Sequence, residues 1–250
     1  MRLNKTEKVA YLFADWPETM IWSCLQGVMG EILADDLEVP KSVLARIGRR
    51  SSFGFLAGEP CLDLIEACRG EDIILVPQHA GWSDLIETTF GEKVHAFTRY
   101  ATKKGTVFDR GKLASYVTAL PEECEFHLID EIFYQKCLSK AWSQDLVGNF
   151  DDCQHFQDVG LGVVVTKEKQ VLAGASSYSA YQGGIEIEID THPDFRRQGL
   201  ARAVAAKLIL ECLNRNLYPS WDAHTKASLA LAQKLGYELS HEYIAYEIDW

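Results

Sequence analysis

"DTHPDFRRQGLARAV", residues 190–204, joins two periodicities. Before it, IEIEIDT (185–191) alternates apolar and acidic residues, the period of a half-buried strand. After it, Leu200, Val204, Leu208 and Cys212 recur at four-residue steps, which predicts a helix over 198–214. The turn between them carries Arg196, Arg197, Gln198 and Gly199. The first amides of a helix have no acceptor within it, and with the helix dipole they form an anion site. Gly199 lets a ligand oxygen approach the main chain with no Cβ in the way. The arginines add cationic donors shaped for phosphate oxygens. A diphosphate suits such a turn.

Two familiar phosphate loops do not match it. GxxxxGK[ST] is absent, and GxGxxG asks for more glycines than the turn has. What remains is [RQ]-x-x-G-x-[GA], met by Arg196, Gly199 and Ala201. The residues downstream continue one α/β unit. Pro219–Ala223 reads as a strand, and Ala227, Leu231 and Leu235 form a helical stripe that Gly236 closes. ELSHEYIAYEI (238–248) reads as a hairpin.

Upstream, GLGVVVT (160–166) and QVLAGASSYS (170–179) predict a hairpin turned at Lys167-Glu168-Lys169. CEFHLID (124–130) predicts a strand, and residues 131–150 a helix. The first half alternates both patterns. Helices are expected at 19–34, 60–70 and 81–91, and strands at 53–58, 72–77 and 93–102. A boundary is expected near Pro121, giving an N-terminal α/β domain over 1–120 and a second domain over 121–250. His79 and His95 stand alone and read as structural, as do Trp16, Trp22 and Trp82.

The 250 residues are 47% apolar and 24% charged, ordinary for a globular chain. A net charge of −11 with no basic tract argues against a nucleic-acid surface. No apolar run reaches a membrane span, and MRLNKTEKVAYLF lacks the apolar core of a secretory signal. No membrane partner and a cytoplasmic location are expected. The seven cysteines form no CxxC or Cys/His cluster, so reduced thiols and no metal site are expected. The role of the N-terminal domain stays open between a substrate lid, the surface of a homodimer and a second, decayed copy of the same fold.

The order strand, R-x-x-G-x-A, helix, strand, [NT]-x-x-S-x-x-L, helix, K-L-G-Y resembles the GNAT superfamily of acetyl-CoA-dependent N-acetyltransferases. GIEIEIDT, RRQGLA, YPSWDA and LAQKLGY are similar to the subgroup named for the zwittermicin A resistance acetyltransferase. The likeness spans 122–248 and continues more faintly into SCLQGVMG and GFLAGEP. It implies an α/β (α+β) fold: a mixed, mostly antiparallel sheet flanked by helices, with the N-terminal α/β domain added.

The resemblance implies acetyl-CoA as co-substrate and a small-molecule amine as acceptor. The diphosphate would lie on Arg196, Arg197, Gln198, Gly199, Leu200 and Ala201. Ile189, Asp190 and Thr191 would pair with the pantetheine arm as a false strand. Thr225 and Ser228 would bond that arm or the leaving thiol. The tyrosine the family often carries before K-L-G-[FY] is replaced by Ala232, so a general acid is not assigned.

The amine nucleophile needs a base. Glu186, Glu188 and Asp190 share one strand face, stepped roughly 7 Å apart. Like charges at that spacing raise one another's pKa and attract a cationic amine. Glu188 is the first choice of base, with Glu186 beside it; His224, near Asp222 at the end of the next strand, is a further candidate. The alternative reading is a module that binds acyl-CoA without turnover, as a sensor or partner-binding protein.

Overall fold

The computed structural model describes residues 1–49 and 52–250. The chain forms two compact units, Met1–Arg99 with Glu242–Trp250, and Tyr100–His241. Both sheets are mostly antiparallel and carry helices, so the fold is mixed α/β.

The first unit opens with α1 (Thr19–Gln26), β1 (Glu31–Ala34), β2 (Ser42–Ile47) and β3 (Ser52–Gly58). It continues with α2 (Leu62–Glu66), β4 (Ile73–Pro77), α3 (Ala80–Phe90) and most of β5 (Val94–Thr102). Strands β1, β2 and β3 are antiparallel, and β4 runs parallel to β3. The core gathers Leu44, Leu56, Ile65, Leu75, Trp82 and Ile86. Trp82 is fully buried, and its indole N–H donates to the Gly58 carbonyl (3.0 Å). The ring of His79 caps α3 and His95 pairs with Asp249 (2.8 Å), so both histidines have structural partners.

The second unit follows with α4 (Arg110–Thr118), β6 (Glu125–Leu128), α5 (Glu131–Leu138) and α6 (Cys153–Val159). Then come β7 (Gly162–Lys167), β8 (Gln170–Tyr181), β9 (Gly184–Thr191), α7 (Leu200–Asn214), β10 (Tyr218–Ser220), β11 (Asp222–Ala223), α8 (Lys226–Leu235) and the start of β12 (Leu239–Ile248), whose residues from Glu242 on belong to the first unit. Five of these strands form one sheet in the order β10-β9-β8-β7-β6. Helix α7 packs on β7, β8 and β9 through Ala203, Val204, Ala206, Leu208 and Ile209, all buried. Its small residues let helix and sheet approach closely.

Several expectations need correction. The helix expected over 19–34 stops at Gln26, because Gly27 turns left-handed (φ 66°) and its N–H bonds the Cys24 carbonyl. Gly30 is left-handed as well (φ 78°), and residues 31–34 are the strand β1. The helix expected over 131–150 ends at Leu138 and resumes only as the 3-10 turn Gln144–Leu146. The hairpin expected over 238–248 is one strand, Leu239–Ile248, since no glycine, proline or asparagine offers a turn there. The strand expected at 219–223 splits at Trp221. Strand β10 pairs with β9 and β11 pairs with the end of β5.

Helix α4 packs on α7, and the chain's last residues join the first unit, where Tyr246 pairs with Leu75.

One glycine couples the fold to the site. Residue 174 on β8 lies under the 3-10 turn, where an added Cβ would run into Leu146 Cδ1. Leu146 is fully buried and its carbonyl accepts from Ser176 Oγ (2.5 Å). Gly174→Val therefore overpacks a closed site and is expected to cost about 1–3 kcal/mol, lowering Tm by several degrees. Differential scanning calorimetry checks this, and an unchanged Tm contradicts it.

Candidate active site

The splay of β10 and β11 opens an edge. Strand β9 pairs with β10 only over Gly184–Glu186. Beyond that, Ile187 to Thr191 have a strand neighbour on the β8 side alone, among the described residues. The Ile189 amide donates to the Glu188 carboxylate (3.0 Å), a side chain of its own strand. Trp221 stands where the strands part, 4% exposed, its carbonyl held by the Thr102 hydroxyl (2.6 Å).

Next to this edge lies a cleft of about 890 Å³, contained in the second unit. Its walls include Ile189, Asp190, Thr191, Arg196, Arg197, Gly199, Leu200, Ala201, Thr225 and Ser228. The turn anticipated in the sequence is the floor of one end. Helix α7 starts at Leu200, with Gly199 left-handed (φ 83°) as its cap. Among the described residues, the amides of Arg197, Gln198, Gly199, Leu200 and Ala201 donate to no protein acceptor. The Arg196 amide is different and turns inward to the Pro193 carbonyl (3.4 Å). A Cβ at Gly199 would meet nothing nearer than Arg202 Nη2, at 3.9 Å.

Arg197 also has a positive φ (65°) without being glycine. That conformation costs an L-residue about 1–2 kcal/mol. Such strain gathers where a loop is shaped for a ligand. Here it belongs to a loop of amides with no protein acceptor among the described residues, flanked by two guanidinium groups, which is donor chemistry for an anion.

The acidic face divides into three environments. Glu186 is 3% exposed and lies near Tyr181 and Tyr237, where burial, with its carboxylate adding, pushes both phenols up. Glu188 holds the Ile189 amide. Asp190 lines the cleft, and burial raises its carboxyl to about 7. The Asp145 carboxylate on the 3-10 turn adds to that rise, and Arg196 opposes it. The same Asp190 charge helps burial hold the Cys137 thiol of α5 up at about 12.

The remaining candidates sort by contact. Thr225 caps α8, its hydroxyl accepting the Ser228 amide (3.1 Å). Ser228 Oγ accepts the Trp221 indole N–H (3.1 Å), which leaves its own proton free to be donated. Ala232 is fully buried and offers nothing to the cleft. Gln198 is exposed on the loop, and His224 is exposed outside the cleft wall.

Sequence reading missed Trp221, Arg202, Leu231 and Lys234 in the cleft wall, and Asp145 behind it. Arg202 had a local signal, lying one helical turn after Gly199. The others come together only through tertiary packing.

With this geometry in view, the comparisons with known proteins agree on a class. The chain belongs to the GNAT acetyltransferase family, whose model matches residues 10–246. Enzymes of that fold generally use acetyl-CoA. A GCN5-related N-acetyltransferase-like protein from Streptococcus suis 89/1591 is 57% identical, with a TM-score of 0.96 over 98% of each chain. An uncharacterized N-acetyltransferase of Bacillus subtilis, YdfB, is 26% identical over 243 residues, 91% of this chain and 89% of that protein. A GCN5-related N-acetyltransferase from Kribbella flavida shares the fold at 15% identity, with a TM-score of 0.60 over 93% of this chain and 95% of that one. Among the described residues, no helix is long and apolar enough to cross a membrane.

Proposed function

We propose that the unit Tyr100–His241 transfers an acetyl group from acetyl-CoA to a primary amine of a small molecule. The observation that carries this is the run of amides from Arg197 to Ala201 that donate to no protein acceptor among the described residues, beside a cation-lined cleft. When bound, acetyl-CoA supplies an activated acyl thioester. The loop amides with Arg196 and Arg197 grip the diphosphate, and the open edge of β9 at Ile189–Thr191 orients the arm.

Asp190 is the base in this account, in preference to Glu188, Glu186 or His224. Its carboxyl lies in the cleft wall and is raised to about 7, where it ionises near neutral pH and takes a proton from the acceptor ammonium. Glu188 keeps the edge amide, Glu186 is buried and His224 stands apart. Ser228, polarised by Trp221, donates to the departing sulfur in place of the missing tyrosine. Ser228→Ala is expected to lower kcat about 3- to 10-fold, the worth of one such hydrogen bond. Steady-state thiol release measures this, and an unchanged kcat removes Ser228 from the mechanism.

The likeness to the zwittermicin A resistance subgroup and the net charge of −11 both favour a cationic amine. Seven free thiols suit a reducing, cytoplasmic compartment. The test is thiol release from acetyl-CoA with a panel of polyamines, amino acids and aminoglycosides. Amine-dependent release is expected. Tight binding of coenzyme A with no release for any amine contradicts transfer and favours an acyl-CoA sensor.

A further inference from the structure

The loop amides and the arginine pair account for a diphosphate, yet the cleft holds more positive charge than that. Arg202, in the first turn of α7, and Lys234, in the last turn of α8, also line it. Among the described residues neither side chain pairs with a carboxylate. Among the described residues that line the cleft Asp190 is the one acidic side chain, in a chain whose net charge is −11. Unpaired cations gathered in one place in so acidic a chain point to an anionic guest.

Arg202 is also held in place. Its guanidinium lies over the Tyr116 ring, 4.6 Å from the centroid. A guanidinium stacked on its face keeps its N–H edge for a phosphate. Tyr116 belongs to α4, and its hydroxyl donates to the Lys234 carbonyl (3.4 Å). One ring thus touches both the arginine and the last turn of α8 that carries the lysine.

We propose that Arg202, positioned by Tyr116 and joined by Lys234, reads the 3′-phosphate of coenzyme A. The inference rests on the coenzyme A reading of the cleft. Coenzyme A carries a phosphomonoester on its ribose besides the diphosphate, and this dianion is the charge left over once the loop is filled. Arg202 and Lys234 touch substrate in this account, while Tyr116 acts through Arg202.

The test is titration calorimetry of the full chain with coenzyme A and, separately, with 3′-dephospho-coenzyme A. The wild type is expected to bind coenzyme A at least about 10-fold more tightly, as charge-assisted phosphate contacts confer. Arg202→Gln is expected to weaken coenzyme A alone, bringing the ratio to about 3 or less. Tyr116→Leu lowers the ratio in the same direction, and Tyr116→Phe, which keeps the ring, restores it. A role of Tyr116 in stability alone would not move the ratio of two ligands. The proposal is overturned if the wild type binds both equally, or if Arg202→Gln weakens both by the same factor. In that second case Arg202 belongs to the diphosphate grip. Failure of the wild type to bind either ligand overturns the coenzyme A reading, and this inference with it.

Discussion

Gly199→Glu is expected to weaken coenzyme A binding at least about 100-fold, while Gly199→Ala weakens it far less. Both variants carry the same backbone penalty, because residue 199 is left-handed (φ 83°) and any side chain there costs about 1–2 kcal/mol. Neither Cβ clashes, since the nearest atom is Arg202 Nη2 at 3.9 Å. What separates them is the carboxylate. It would reach the amides of Arg197 to Ala201, which have no protein acceptor among the described residues, and occupy the place proposed for the diphosphate. Charge-assisted hydrogen bonds are worth about 1.5–3 kcal/mol each, so displacing two suffices for the factor stated. Titration calorimetry of both variants decides it. Equal affinities for Ala and Glu would mean that the loop does not hold the anion.

Asp190→Asn carries the other large effect. Losing a positioned general base is expected to lower kcat about 10²- to 10⁴-fold and to remove the limb of the pH profile near 7. The sign follows from the raised carboxyl. In the wild type, activity is expected to rise with pH as Asp190 ionises around 7. Stability moves the other way. Between the ordinary carboxylate range near 4 and the folded value near 7, the native state keeps a proton that the unfolded chain has shed. Folding stability from this group is therefore full at low pH and is lost as pH rises through 7. Asparagine has no such slope. The wild type should lose stability relative to Asp190→Asn between pH 5 and pH 8, as followed by urea unfolding. A variant with full kcat, or with parallel stability profiles, would take Asp190 out of the base role.

The sequence carried local regularities well. The alternation of 185–191 and the stripe of Leu200, Val204, Leu208 and Cys212 are main-chain periods, and β9 and α7 sit on them. The loop's shape was legible because a glycine before a helix start and the amides around it are a local object. Lys167-Glu168-Lys169 turned the hairpin as expected, with φ of 50° and 66° at the last two residues. Long-range partners left no such trace. Asp145 acts on Asp190 because Gly174 seats Leu146, and Tyr116 meets Arg202 because α4 packs on α7. The helix expected through Gly27 and Gly30 failed for a different reason, since left-handed glycines outrank an apolar stripe.

The central claim is that the backbone amides of Arg197 to Ala201 hold the diphosphate. Proton–nitrogen correlation spectra of the labelled protein, titrated with coenzyme A and then with pantetheine, test it most directly. The account predicts that these amide resonances move with coenzyme A along its binding isotherm and stay in place with pantetheine, which lacks the diphosphate. Amides that remain unmoved at saturating coenzyme A would contradict it.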